Sequence, residues 1–319
     1  MGFLSDNFIA DFFVLALKWV DTLVQSFPFA IIILTIALRV LILPLDLRQK
    51  QSSRKMAMIQ PKLESLKKRY GNNPQQMQKK QQELYKKEGV RPLAGCLPML
   101  ITLPIFFAFF GAMRVLATEQ QVSFMLNAQN ISNVAAYANT SMQMPSWLWV
   151  HNLWQPDSGF SPILPTAGEF TTYIQQNMGN VSPQALHMMS QAGLVSFTGA
   201  GFAAGANYTG LTGVIINANG LAGFNNGWFI LPLLAGATLF LQQKMTTGQN
   251  PQMGQQPGGN FMLWFFPIFS VYICATSNAA FAIYWLFANI YAVAQTYVLN
   301  LIYKKQDEKA KQGVIEEAT

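Results

Sequence analysis

One residue in the sequence is chemically out of place. Arg39 stands in the run FPFAIIILTIALRVLILPL (27–45), where every other side chain is apolar or a hydroxyl. A guanidinium near the centre of a membrane helix costs about 2.5 to 3.5 kcal/mol on insertion scales, so it must face water or polar groups. It lies six residues before Leu45, roughly 9 Å along a helix, and the run offers it no carboxylate. A hydrated inner-leaflet cavity follows. A later run supplies candidate walls: Tyr284, Tyr291 and Gln295 share one helical stripe, and Trp285, Asn289 and Thr296 the next. Asn289 suits interhelical hydrogen bonding as well as lining, whereas Gln295 matches Arg39 in depth and favours lining.

Other chemistries find little support. The apolar runs contain no Asp, Glu or His, which argues against a proton-coupled pump or an intramembrane aspartyl or metalloprotease. Cys96 and Cys274 are 178 positions apart and suggest neither a disulfide scaffold nor a zinc site. His151 and His187 share no metal-ligand spacing and read as surface residues. Gly199, Gly201 and Ala204 match G-x-G-x-x-A, but without the flanking strand and helix that a dinucleotide site requires. No catalytic residue, metal or cofactor is expected.

The elements that position Arg39 follow from composition and charge. Hydrophobic residues make up 51% of the 319 and charged residues only 11%, against about 25% charged in soluble domains. Of 21 Lys and Arg, 13 fall between residues 48 and 91, and residues 118–227 contain none. Cytoplasmic loops collect such charge. The pattern predicts an all-α membrane protein with five transmembrane helices at 27–45, 93–113, 228–243, 261–275 and 281–302. The third is short and spans only with snorkelling or local thinning of the bilayer. Thr276-Ser277-Asn278 marks the turn of a closing helical hairpin.

Charge and parity then place the N-terminus outside and the C-terminus inside. Residues 1–26 carry Asp6, Asp11 and Asp21 where a signal peptide would be basic. Their polar stripe, Asn7, Asp11, Lys18, Asp21, Thr22 and Gln25, is flanked by Phe and Trp, which predicts an amphipathic helix on the outer membrane surface. Residues 46–92 read as a cytoplasmic basic helical hairpin: Met56, Ile59, Leu63, Leu66 and Tyr70 recur at three and four, Pro61 kinks or restarts the first arm, and Gly71 to Pro74 breaks it. Its exposed cations, Lys67, Lys68, Arg69, Lys79 and Lys80, are candidate client or ribosome contacts, although a solvated face obeying charge asymmetry explains most of them. Residues 114–227 form a long extracytoplasmic loop in which Trp147, Trp149 and Trp154 suit an interfacial aromatic belt. Its Gly/Asn-rich insert, 166–227, is expected to be dispensable. Residues 244–260 and 303–319 are inside, the latter nearly neutral and a poor RNA-binding arm.

Several stretches together resemble the YidC/Oxa1/Alb3 membrane protein insertases. They are ALRVLILPL around Arg39, Met58-Ile59-Gln60-Pro61, LYKKEGVRPLAGCLPMLITLPIF (84–106), LWVHNLWQPD (148–157), LPLLAGATLFLQQKM (231–245) and AFAIYWLFANIYAVAQ (280–295). The P-L-x-G-C-L-P-M block and the late Y-W…N…Q helix are the more specific of these. The resemblance implies energy-independent insertion through a groove open to cytoplasm and lipid, lined by Arg39, Thr102, Gln242, Tyr284, Trp285, Asn289 and Gln295. Thr102 departs from the Gln common in relatives. The implied partners are nascent membrane proteins, a transient ribosome, membrane lipids and, for shared clients, the Sec translocon, with no sequence-specific nucleic-acid binding. The implied location is a bacterial cytoplasmic membrane. The alternative is a small-anion channel or transporter with Arg39 as its selectivity charge, which would predict paired internal repeats that the sequence does not display.

Overall fold

A computed structural model describes residues 8–89, 97–140, 142–176, 181–199, 201–249 and 259–317. Cys96 and most of the P-L-x-G-C-L-P-M block lie outside them, as does the Thr102 side chain. The chain forms two compact units: Met1–Leu34, Phe106–Leu233 and Val271–Trp285 make the first, and Thr35–Ile105, Leu234–Ser270 and Leu286–Thr319 the second.

The described helices are α1 (Phe8–Val24), α2 (Phe27–Met58), α3 (Gln60–Tyr70), α4 (Pro74–Lys87), α5 (Leu97–Ala128), α6 (Val134–Ala138), α7 (Ala167–Gln176), α8 (Pro183–Gln191), α9 (Tyr208–Ala218), α10 (Ile230–Gln249), α11 (Gly259–Thr276) and α12 (Ala279–Glu317). On length and composition, Phe27–Met58 and Ala279–Gln306 suffice to cross a bilayer, while Leu263–Thr276 is apolar but shorter. Helices do not stop where apolar runs stop. α2 continues through Pro44 to Met58, and α12 runs 39 residues, about 58 Å at the helical rise. Backbone hydrogen bonding continues as readily in water as in lipid when the sequence holds good helix formers such as Lys, Gln and Glu.

In the first unit, α1 buries Ala10, Phe13, Leu17 and Val20 and exposes Phe8, Phe12, Leu15, Trp19 and Leu23. The Phe13 ring meets Phe109 of α5 at 5.3 Å, and Lys18 pairs with Glu119 at 2.6 Å. The helix therefore has two apolar faces, one against protein and one outward. Beyond α5 the chain builds a small subdomain with its own core of Phe170, Ile174, Leu186, Met189, Tyr208 and Ile215, packed on Val122, Met125 and Ala128 of α5. Burial pushes the Tyr208 hydroxyl far above its usual range, and that hydroxyl donates to the Pro165 carbonyl at 2.8 Å.

The subdomain also qualifies the all-α expectation. β1 (Val195–Thr198) and β2 (Gly201–Ala204) pair antiparallel, Val195 opposite Ala204. The G-x-G-x-x-A residues thus belong to a β-hairpin, and the described residues hold no parallel strand to form a nucleotide fold. Trp154, expected in an interfacial belt, is only 2% exposed. Its ring meets Phe27 at 5.2 Å, so it serves as core.

In the second unit, α3 and α4 follow the lower half of α2. Ile59 and Leu63 are buried with Met56, Leu84 and Tyr85 against them, and Lys62 pairs with Glu88 at 2.6 Å. Pro lies in the first turn of both arms, where its missing N–H costs nothing. Asn73 caps α4 by accepting from Gln76 N at 3.1 Å.

Candidate functional site

A polar face runs down α2 inside the second unit. Arg39, Asp46 and Lys50 stand at i, i+7 and i+11, within about 40° of one another around a helix of 3.6 residues per turn. Asp46 is only 9% exposed and lies within Coulombic range of both Arg39 and Lys50. The guanidinium therefore has a carboxylate neighbour, contrary to the expectation of none. Placing the end of the span at Leu45 excluded Asp46 by one residue, while the uninterrupted helix keeps it on the Arg39 face.

α12 supplies the opposing groups. Lys50 Nζ donates to the buried hydroxyl of Thr296, which donates in turn to the Ala292 carbonyl at 2.7 Å. Gln295 faces Asp46, yet its buried Nε2 lacks a hydrogen bond of normal geometry. Tyr291 lies in the field of both Asp46 and Arg39. Toward the end of α2, Arg54 stacks over the Tyr303 ring at 4.4 Å and donates to Gln306 Oε1 at 3.4 Å.

The remaining expected residues are distributed differently. Asn289 is buried and donates to the Ala235 carbonyl of α10 at 3.3 Å, the interhelical role. Gln242, on α10, is half-buried. Tyr284 and Trp285 belong to the first unit, where Tyr284 stacks on Phe109 at 4.0 Å and Trp285 meets Phe106 at 4.9 Å. Lys67, Lys68, Arg69, Lys79 and Lys80 are all exposed, with Lys80 paired to Glu83 at 2.7 Å. The pairing favours the ammonium form of Lys80 and the carboxylate form of Glu83.

Sequence reasoning missed a second polar centre, in the first unit. Asp157 is fully buried and accepts from the backbone N–H of Trp228 (2.9 Å), Phe229 (3.1 Å) and Leu231 (2.7 Å) and from Trp149 Nε1 (3.1 Å). It thus satisfies the exposed amides at the start of α10, where the helix dipole also favours an anion. Gly227 is required there, because a Cβ would overlap Asp157 Oδ1. Beside it, Asn226 accepts from Asn152 N at 2.7 Å and donates to the carbonyls of Asn152, Gln155 and Pro156. The same loop caps α12 through Ala279 N to Gln155 O (2.9 Å) and Ala280 N to Leu153 O (3.0 Å). The available signal was scarcity: Asp157 is one of three acidic residues between 114 and 227.

Known proteins share this arrangement of sequence. The profile of the 60Kd inner membrane protein family matches residues 19–219 and 214–307. The membrane protein insertase YidC of Fusobacterium nucleatum is 28% identical over 294 residues, covering 92% of this chain and 95% of that protein. The membrane protein insertase YidC of Alkalihalophilus pseudofirmus is 28% identical over 299 residues (90% and 79%), and MisCA of Bacillus subtilis is 27% identical over 294 residues (91% and 76%). With most of its length matched by the profile and by these relatives, the chain belongs to the 60Kd inner membrane protein family of YidC-type insertases.

Proposed function

We propose that this protein inserts nascent membrane proteins into a bacterial cytoplasmic membrane, using the polar face of α2 and α12 as the transient resting place of a client's hydrophilic flank. The observation that carries the proposal is the cluster of Arg39, Asp46, Lys50 and Gln295, which reaches from the polar end of α2 up into its apolar run, in a chain whose relatives are named insertases. Two cations and one carboxylate leave the cluster with a net positive charge. The Gln295 amide faces Asp46 across an incomplete contact, and its second N–H is a donor ready for a client's backbone carbonyl or side-chain acceptor. Burial of the client's apolar segment in lipid supplies the drive, and no chemical step is needed.

In this reading five spans cross the membrane, the N-terminus faces outward, and the basic α3–α4 arm faces the cytoplasm, where its eight Lys and Arg meet ribosome and client by charge rather than by base contacts. Clients are nascent membrane proteins, delivered with or without the Sec translocon.

The test is site-specific photocrosslinking from positions 39 and 295 to ribosome-held nascent membrane proteins. Crosslinks to the client's polar flank are expected. Their absence, together with anion conductance in reconstituted vesicles lacking client, would replace this reading with that of a channel selected by Arg39.

A further inference from the structure

A cavity of about 320 Å³ lies within the first unit, where the apolar helices meet the polar subdomain. Its walls are the Phe110 to Thr118 stretch of α5, the 154–156 loop, α7 and the turn after α11. Polar groups of opposite charge converge on it. Arg114 is exposed and has no ion-pair partner among the described residues. Glu169 uses Oε2 to accept from Thr166 N at 2.7 Å and Thr166 Oγ1 at 3.0 Å, which leaves Oε1 for another donor. Both charges act on the Tyr173 hydroxyl, with opposite sign. Gln155 is 1% exposed, lines the cavity and turns its amide toward that hydroxyl, and among the described residues its Nε2 makes no hydrogen bond of normal geometry. An amide nitrogen carries two N–H donors, so beside the Tyr173 hydroxyl one remains for an acceptor in the cavity.

The geometry points to a binding site for the headgroup of a zwitterionic aminophospholipid, phosphatidylethanolamine, with its phosphate held by Arg114 and Gln155 Nε2 and its ammonium by Glu169. A phosphate wants a guanidinium and a neutral N–H donor, and a primary ammonium wants a carboxylate oxygen. Arg114 is the first charged residue after the apolar run of α5, at the depth of lipid headgroups once these helices cross a bilayer. Phe110 and Ile273 form the apolar side of the cavity. Phe107, one turn nearer the start of α5, and Tyr272 are exposed beside it, a path for acyl chains. The inference rests on the membrane-spanning reading alone and stands whether or not the chain is an insertase.

Native mass spectrometry of the full chain in detergent tests it, with short-chain phosphatidylethanolamine, phosphatidylglycerol, phosphatidylcholine and free phosphoethanolamine as probes. Phosphatidylethanolamine should bind about tenfold more tightly than the other two lipids, a difference of about 1.4 kcal/mol. Glu169→Gln should erase its preference over phosphatidylglycerol, Arg114→Gln should weaken all three lipids, and Gln155→Met should lower phosphatidylethanolamine binding severalfold. Arg114 is solvent-exposed, so its variant keeps the test valid if either of the other two fails to fold. Equal binding of all three lipids, or unchanged binding in the Arg114 variant, would overturn the assignment. Free phosphoethanolamine binding as tightly as the lipid would also overturn it, in favour of a soluble ligand.

Discussion

Two buried carboxylates in this chain are treated in opposite ways. Asp157 accepts four N–H bonds and has both oxygens occupied, whereas Asp46 is held mainly by the fields of Arg39 and Lys50, with Gln295 facing it across an incomplete contact. A closed set of hydrogen bonds fixes one geometry and leaves nothing to offer a ligand. An open set keeps charge and donors available, at the cost of imperfect local satisfaction. The first centre reads as architecture, and the second is the surface that the proposed insertion would use.

The most severe way to break the closed centre is to replace residues 166–226 with a short Gly/Ser linker. That segment carries Phe170, Ile174, Tyr208 and Asn226, a packing role that the expectation of a dispensable insert leaves out and that this variant puts to the test. The variant should fail to yield a cooperatively unfolding protein in detergent; a stable, active product would show that the core over α5 is unnecessary. Next, Asp157→Ala leaves four donors without an acceptor and should cost at least about 3 kcal/mol, read as a fall in melting temperature, with altered emission from Trp149.

On the open centre, Arg39→Ala should reduce insertion of an acidic-tailed client by about tenfold while changing stability by less than about 1 kcal/mol, and Arg39→Lys should retain much of the activity because a point charge suffices. Parallel loss of stability and activity in the Ala variant would move Arg39 into the architectural class. Asp46→Asn should act in the other direction: it removes the counter-charge and should speed capture of the same client about threefold at low salt, less at high salt. Smallest of all, exchanging Lys67, Lys68, Arg69 and Lys79 for Gln should slow insertion mildly and in a salt-dependent manner, because exposed cations are individually weak. An unchanged rate at low salt would remove the hairpin from client capture.

What the sequence reveals depends on the range of the interaction. The apolar run around Arg39 and the seam of Ile59 and Leu63 are local periodicities, and they survive translation into helices. The place of Asp46 depends on whether a helix passes Pro44, a question that hydrophobicity does not answer. Trp154 differs from Trp147 and Trp149 only through contacts with distant residues such as Phe27. Asp157 is further removed still, since three of its four donors lie 71 to 74 positions away and no spacing rule marks them. The division of Tyr284 and Trp285 from Gln295 along one helix likewise reflects neighbours that periodicity alone does not reveal: Phe109 and Phe106 take the first two rings.

The 152–157 loop also sets a timetable. Its acceptors receive first the segment around Asn226 to Leu231 and then Ala279 and Ala280, so a chain made from its N-terminus synthesises the loop well before either occupant exists. At about 5 to 20 residues per second, the loop waits roughly 4 to 15 s for its first occupant and about as long or less again for the second. During that interval the loop's carbonyls and the Asp157 carboxylate lack these partners, so water has to satisfy them until each newly synthesised helix start arrives.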